Sequence, residues 1–573
     1  MKKWFLYQKK ADFEQIGRKY GIHPVIARVI RNRDIEGDEQ IYSYLCGTRK
    51  DCYDPRSMKN ILSAAAILKE KAASGRKIRV IGDYDVDGVC ATHILVRALR
   101  YLGADVDVAI PHRIRDGYGL NDRLIREAYD QGVDTILTCD NGIAAKEQIA
   151  LAKQLGMTIL VTDHHEVPYE EQGGERVYLL PPADAVVNPK QPKDCYPYSG
   201  ICGAVVAWKL ASVLLTQEDA IELEDEFIQI AALATVCDVM ELKDENRIIV
   251  KEGLKCMTVH PIPGIRALLE VNGLRGNEIS AYHLGFVLGP CLNATGRLDD
   301  ANRALELLGQ QDFGEAVRIA DELKKLNSSR KEMTALGVEE AVKLVSEQER
   351  AGQIDKVLVL YLPQLHESLA GIVAGKIREI YMRPTFVLTD AQMQVKGSGR
   401  SVEGYDMYGE LTRVQGLLLK YGGHRMAAGL SLEKDRIEEF REQLNSNCEL
   451  LEADLIDKIY IDAAMPFHVI SEELVNQLRI LEPCGNGNSR PVFAQKGVRA
   501  FQFNVFGKNR NVCKCKLEDS EGTVMTGVLF GETEGFEHFV GERKSDTFSI
   551  LYHPVLNEFR GRKELELVID DYC

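Results

Sequence analysis

Ile78-Arg79-Val80-Ile81-Gly82-Asp83-Tyr84-Asp85-Val86-Asp87-Gly88 is the stretch whose reading decides the fold. Its first four residues form an apolar run that reads as a buried strand, and residues 89–102 read as a helix. Three carboxylates therefore sit where a strand hands over to a helix, the place where ligands bind in a parallel α/β sheet. Crowded acids repel one another, and a cation among them removes most of that cost. A solvated acidic turn would be written with the same residues. What decides against it is that the pattern recurs.

Further strands are expected at residues 106–110, at Thr135–Cys139, at Thr158–Thr162 and at Ala185–Val187, with helical patterns between most of them. Such alternation predicts βαβ units and a mainly parallel sheet. The exits deliver Asp83, Asp85 and Asp87, then Asp140-Asn141-Gly142, then Asp163-His164-His165. A lone Asp after a strand is often a helix cap. Three successive exits carrying Asp or His are not explained by caps, and all should converge on one sheet edge.

Outward from this unit, residues 1–50 read as a polar, partly helical lead-in without chemistry, and 51–311 as the first domain. Within it the buried helix pattern at 228–236 ends in Cys237-Asp238, a cap or a further ligand. Residues 312–349 predict a long connecting helix, whose Lys324-Lys325 and Arg330-Lys331 fit a solvated face. Residues 350–452 predict a second α/β domain with two glycine-rich elements, Lys396-Gly397-Ser398-Gly399-Arg400-Ser401 and the stretch from Gly422 to Gly429. Glycines let a backbone approach a phosphate, and Ser and Arg supply donors. Residues 453–573 predict a small all-β domain. Residues 499–516 hold five basic residues and no acid, interleaved with Phe501, Phe503 and Phe506. That pattern suits single-stranded nucleic acid, and equally a β core with a basic face.

At 573 residues the chain needs several cores. The first residues lack the apolar core of a signal peptide, and no uninterrupted apolar stretch would span a membrane, so a cytoplasmic protein is expected. The 14 cysteines are scattered, which favours reduced thiols, and Cys513 and Cys515 read as ordinary strand residues. The net charge of −15 argues against polyanion binding by the whole surface but allows a local basic channel.

Carboxylates plus imidazole without thiolate suit Mg²⁺ or Mn²⁺. The acids exceed what one ion needs, and two ions about 3.5–4 Å apart would use them. No P-loop lysine motif and no serine nucleophile elbow is present. The residues thus point to metal-dependent hydrolysis of a phosphoester or phosphoanhydride and leave the substrate open.

Asp83-Tyr84-Asp85-Val86-Asp87-Gly88, Asp140-Asn141-Gly142 and Asp163-His164-His165 resemble the signature motifs of the DHH phosphoesterase family. Pro111-His112-Arg113, residues 117–120, Asn293-Ala294-Thr295-Gly296-Arg297, 397–401, 422–429 and 481–488 resemble its single-strand-specific DNA exonuclease branch, from about residue 50 onward. The resemblance implies a parallel-sheet catalytic domain, a DHH-associated α/β domain and a C-terminal OB-fold that guides the strand. It implies two cations, Mn²⁺ or Mg²⁺, held by Asp85, Asp87, Asp140, His164 and Asp238. Asp140 would bridge them, and Asp83 and His165 would complete the site. Arg297 would contact the phosphate near the metals. Arg113, Ser398 and Arg400 would bind the 5′ phosphate, and His424 would face the same cleft. The implied activity is 5′→3′ hydrolysis of single-stranded DNA to mononucleotides in recombination and repair, with a single-strand-binding protein and a helicase as candidate partners. Ile81 stands where some relatives carry a histidine, which makes Asp83 the substitute ligand. Cys484 stands where an aromatic is common. Two rivals share these residues: a nanoRNase or cyclic-dinucleotide phosphodiesterase, which usually lacks the third domain, and a non-catalytic DNA-binding scaffold, which should have lost ligands.

Overall fold

The computed structural model describes residues 2–352, 354–391, 394–542, 547–559 and 561–573. Two compact units divide them. One comprises Tyr53–Met240 and Glu252–Asp457; the other comprises Lys2–Cys52, Glu241–Lys251 and Lys458–Cys573.

The first unit is built on five parallel strands: β1 (Ile78–Ile81), β2 (Val106–Ala109), β3 (Thr135–Cys139), β4 (Thr158–Thr162) and β5 (Ala185–Val187), in the order β2-β1-β3-β4-β5. β1 and β3 are buried along their whole length, Arg79 of β1 being paired with Asp107 of β2 at 2.7 Å. From β1 the chain winds to one side into β2 and to the other into β3. The switch in winding therefore falls between β1 and β3, where a doubly wound sheet opens a crevice at its carboxyl edge. Register aligns Ile81 with Thr138, Cys139 with Thr162, and Thr162 with Val187. The exits of these strands thus share one edge.

Helices α1 (Val86–Tyr101) and α2 (Gly203–Leu214) pack on this sheet, and α3 (Gln217–Cys237) packs on both of them. His93 and Arg97 of α1 both reach Glu226 of α3, at 2.8 and 3.0 Å. Helix α4 (Gly289–Leu298) lies against α5 (Phe313–Arg350), whose 38 residues run for about 57 Å. A second, mixed sheet follows: β6 (Leu358–Tyr361), β7 (Thr385–Ala391), β8 (Gln394–Arg400), β9 (Leu418–His424) and β10 (Ala427–Leu432), in the order β9-β10-β8-β7-β6. Helix α6 (Ala370–Tyr381) covers β7 and β8.

The glycine-rich element of β8 has a different purpose from the one its sequence suggests. A Cβ at Gly397 would lie 2.4 Å from Leu388, and one at Gly399 2.3 Å from Met407. These glycines admit core side chains. The alternate residues Lys396, Ser398 and Arg400 occupy the other, half-exposed face.

In the second unit, β11 (Phe493–Phe506), β12 (Val512–Glu518), β13 (Val524–Phe530), β14 (Phe548–Phe559) and β15 (Arg562–Tyr572) run in the order β11-β12-β13-β15-β14. β14 pairs back onto β11, which closes a barrel. The 14-residue β11 serves both neighbours by bending at a bulge around Gln502, where φ is 55°. Cys513 and Cys515 point into the barrel core. The basic, aromatic stretch splits. Phe501 and Phe506 are exposed, whereas Phe503 packs on Phe536, and Lys514 pairs with Glu566 at 2.7 Å.

Two stretches whose sequence carries no sign of it share this unit. Ile26, Ile30, Tyr44 and Leu45 join one core with Phe493 and Tyr552. From 241–251, buried Arg247 donates to the carbonyls of Tyr44, Ile480, Leu481, Glu482 and Pro483. The motif at 481–488 is thus wrapped around one guanidinium. Asp462 is likewise buried, accepting from Arg33 at 2.7 and 3.1 Å, from Asn32 and from the Val492 amide. Removing one partner of such a pair leaves an unpaired buried charge. Arg33→Met should therefore cost the second unit about 3–5 kcal/mol in denaturant unfolding. A loss under about 1 kcal/mol would mean that Asp462 is solvated instead.

Candidate active site

Each exit turns its acid toward one point. Asp85 caps α1, accepting from the Gly88 amide at 3.0 Å, so it serves as a cap and keeps its second oxygen free. Asp87, two residues on, accepts from the amides of Gly203 and Ala204 at 2.6 and 2.8 Å, at the start of α2. That helix end fixes the orientation of Asp87. Asp140 leaves β3 in the left-handed region at φ 59°, which Asp tolerates better than most residues. Gly203 makes room for it, since a Cβ there would lie 2.7 Å from the Asp140 Cβ. Asp238 closes the C-terminus of α3.

His164 Nε2 lies 3.1 Å from Asp140 Oδ1, 3.5 Å from Asp87 Oδ2 and 3.7 Å from Asp238 Oδ2. Three sets of ligand atoms fall within 4.8 Å of one another: Asp83, Asp85 and Asp140; Asp87, His164 and Asp238; and Asp140, His164 and His165. Asp140 and His164 each belong to two of them, and of the two Asp140 is the carboxylate, the group able to bridge two ions. Asp83 Oδ1, Asp140 Oδ1 and both ring nitrogens of His164 are buried without an aligned hydrogen bond. Buried polar atoms without partners are costly, and divalent cations would satisfy all of these. The donor set, carboxylates with one or two imidazoles, fits Mn²⁺ or Mg²⁺.

The electrostatics agree. Burial, then the neighbouring carboxylates, pushes Asp83 and Asp140 well above the usual carboxylate range, raises Asp85, and lifts Asp238 to about 8. Burial lowers His164, which keeps it neutral and able to ligate. His165 is the opposite case. Burial opposes its charge, but the hydrogen bond and charge of Asp163, 2.7 Å away, outweigh this and raise it to about 9. Asp163 also accepts from the amides of Ile143, His164 and His165, so it positions the two histidines. The Tyr118 hydroxyl donates to the Asp140 carbonyl at 2.9 Å and lies 3.2 Å from His165. Sequence reasoning assigns no site role to either Asp163 or Tyr118. The run 117–120 is the available signal for Tyr118.

Beside the acids is a cluster of cations. Arg113 stacks on Tyr84 at 3.9 Å and donates to the Gly296 carbonyl. Arg297, at the end of α4, donates to the Ser368 carbonyl at 2.8 Å. Arg400 crosses from β8 to the start of α6, where Gly371 leaves it space. Arg330 of α5 is a fourth member, missed because its surroundings in sequence look like a solvated helix face. Its Nε donates to Asn327, which is buried and reaches Cys291 of α4. Burial, then the charges of Arg113, Arg330 and Arg400, brings Arg297 down to about 10. Among the described residues none of the four has a carboxylate partner within 4 Å. Unopposed guanidinium groups beside an acidic cluster suit a phosphate held at bound metals.

Ser398 lines a cavity of about 220 Å³ with Glu367, Ala370, Lys396 and Gly429, where α6 begins. His424 is not drawn in by any contact. It is exposed at the end of β9, two strands and about 10 Å from Arg400, and its ring makes no hydrogen bond among the described residues.

A crevice at a topological switch, a carboxylate–imidazole cluster and an adjoining guanidinium cluster define a phosphoesterase of the DHH type. Sequence models agree: the DHH family N-terminal domain matches residues 77–235, the DHHA1 domain 355–450 and the RecJ OB domain 461–571. The single-stranded-DNA-specific exonuclease RecJ of Bacillus subtilis is 32% identical over 99% of this chain and 70% of its own length. That of Escherichia coli is 32% identical over 96% of this chain and 95% of its own. A crystal structure of RecJ from Thermus thermophilus in complex with Mn²⁺ superimposes with a TM-score of 0.80 at 26% identity, covering 100% of this chain and 79% of that one. The chain belongs to the RecJ family.

Proposed function

We propose that the chain is a metal-dependent exonuclease that hydrolyses single-stranded DNA from its 5′ end to mononucleotides. The observation that carries this is the pairing of partnerless buried ligand atoms with four acid-free guanidinium groups in one crevice. Asp83, Asp85 and Asp140 would hold one divalent cation, and Asp87, Asp140, His164 and Asp238 the other, Mn²⁺ or Mg²⁺. Bound there, the ions would lower the pKa of a water and draw charge from the phosphoryl group. Arg297 neutralises the phosphate being cut. Arg113, Ser398 and Arg400 hold the 5′ phosphate, with Arg330 beside them. His165, kept protonated by Asp163, can give a proton to the departing oxygen. Among the described residues no helix is long and apolar enough to cross a membrane, and a single-strand-binding protein and a helicase would present the strand.

The test is digestion of a long 5′-phosphorylated DNA strand with Mn²⁺. Mononucleotides should appear from the 5′ end. Cleavage confined to RNAs of a few nucleotides would instead favour a nanoRNase, a reading that leaves the closed barrel without a use. Binding also depends on salt in a way that identifies each phosphate contact. Arg400→Ala should weaken strand binding and flatten the log–log salt slope by about 0.7. An unchanged slope would remove Arg400 from the path of the strand.

A further inference from the structure

The sequence His112-Arg113-Ile114-Arg115-Asp116 puts two arginines on one short loop, and a third, Arg123, follows on the helix Asp122–Asp130. The structure commits two of the three to one carboxylate. The Asp116 side chain is 3% exposed and accepts five hydrogen bonds. Arg123 grips it through Nε and Nη2, both at 2.8 Å. Arg115 adds two longer bonds at 3.3 and 3.2 Å, and the His112 amide donates at 2.9 Å. Arg123 is itself held by Glu127 at 2.7 Å, one helical turn along. Burial opposes the charge of Asp116, but these donors outweigh it and hold the carboxyl well below the usual carboxylate range.

The same residue shapes the loop. The Asp116 amide donates to the His112 carbonyl at 2.8 Å, and the His112 ring accepts from the Ile114 and Arg115 amides at 3.3 Å. A single isolated turn is thus closed over residues 112–116 and fastened to the helix through Arg123. Arg113, inside that turn, points the other way. Its Nε donates to the Gly296 carbonyl at 3.1 Å and its guanidinium lies on the Tyr84 ring. Among the described residues its two terminal nitrogens have no partner. They form the fork that a phosphate takes bidentately. Past Gly117, at φ 77°, the chain has a separate mooring. The Tyr118 hydroxyl bonds the Asp140 carbonyl, and Gly119 packs on Asn141, where an added Cβ would lie 3.3 Å from the Asn141 Cβ. The turn that carries Arg113 and the stretch that backs the metal site are therefore held independently.

We propose that Asp116 is a positioning residue for recognition of the 5′ end. It fixes the turn that aims Arg113 at the 5′ phosphate, and it keeps Arg115 and Arg123 from competing for that phosphate. The inference rests on the reading that Arg113 binds the 5′ phosphate of a single strand.

The experiment measures binding by fluorescence anisotropy in EDTA, using single strands labelled at the 3′ end that carry either a 5′ phosphate or a 5′ hydroxyl. Wild type should prefer the phosphate. Asp116→Asn should reduce that preference roughly tenfold while leaving affinity for the 5′-hydroxyl strand unchanged. Arg123→Gln, a change at a half-exposed side chain with little risk to folding, should do the same. Arg113→Ala should remove the preference by itself, and adding Asp116→Asn to it should cost nothing more, because Asp116 acts through Arg113. The rise in melting temperature on adding Mn²⁺ should be the same in Asp116→Asn as in wild type, since the stretch behind the metal site has its own mooring. A full 5′-phosphate preference in Asp116→Asn and Arg123→Gln overturns the proposal. So does an equal loss on both strands or a lost Mn²⁺ response, either of which would mark a general defect of the loop. A loss that adds to that of Arg113→Ala overturns it as well. If Arg113→Ala keeps the wild-type preference, or wild type binds neither strand, the functional reading falls first and takes the inference with it.

Discussion

Asp140→Asn should lower kcat on 5′-phosphorylated single-stranded DNA by roughly 10⁴-fold or more, with strand binding within a few-fold of wild type. The size of the effect follows from its position. Asp140 lies in two of the three ligand sets, as His164 does, and as the carboxylate of the pair it is the proposed bridge, so losing its charge should weaken both cation sites at once. The proposed phosphate contacts reside elsewhere, on Arg113, Arg297, Arg330 and Arg400, so affinity should survive. The substitution has a second expected signature. Without metal, Asp140 is one of several acids forced together, so the asparagine variant should melt higher than wild type in EDTA. In Mn²⁺ the order should reverse. Activity within tenfold of wild type would refute the bridging role, whereas a lower melting temperature in EDTA would mean that the aspartate is needed for folding.

The second large effect is on the metal-free protein as pH changes. Asp83, Asp85, Asp140 and Asp238 all have folded pKa values above 3.8, the unfolded value, with Asp238 at about 8. A carboxyl group raised in this way binds its proton more tightly in the folded state. It therefore costs nothing below about pH 4, and stability falls as pH rises toward the folded pKa. Glu226 has the opposite sign. Burial opposes its charge, but the bonds from His93 and Arg97 outweigh this and bring it down to about 2. Its contribution is full above pH 4.5 and is lost only as pH falls toward 2. Between pH 5 and 8 the crowded acids should thus dominate. The EDTA-treated protein should lose several degrees of melting temperature across that range. Added Mn²⁺ should restore stability, by about 2.7 kcal/mol per site at a hundred times Kd. A flat EDTA profile from pH 5 to 8 would show that these carboxylates are not crowded in solution.

The parts of this site that could be read from sequence are those set by local structure. A buried strand, a short turn and a helix place an acid within a few residues, so Asp83–Asp87, Asp140 and His164 were legible one exit at a time. The parallel sheet then brings the exits together without further information. The arginines required more. Arg297 and Arg400 were recovered through family resemblance, but Arg330 was not. On α5 it follows Ser328 and Ser329 and precedes Lys331, a pattern indistinguishable from a solvated face. Only the packing of α5 on α4, with Asn327 holding its guanidinium, gives it a role. The glycines of β8 show the reverse problem. Sequence reveals that a side chain is missing but not on which side, and Gly397 and Gly399 make room for Leu388 and Met407. His424 was carried by its motif alone, and its exposed position leaves it outside the contacts that define the site.

The composition of the second unit governs its assembly in time. Asp462 follows its buried partner Arg33 by 429 residues. At synthesis rates of roughly 5–20 residues per second, the first helices wait on the order of 20–90 s for the strands that cover them. During that interval Ile26, Ile30 and Leu45 have no core to enter. The segment that holds Arg33 is therefore made well before it can fold, and the catalytic sheet can form while it is still waiting. A chain interrupted after residue 457 would keep every acid of the active site. It would also carry Ile26, Ile30 and Leu45 uncovered, a ready substrate for chaperones and proteases.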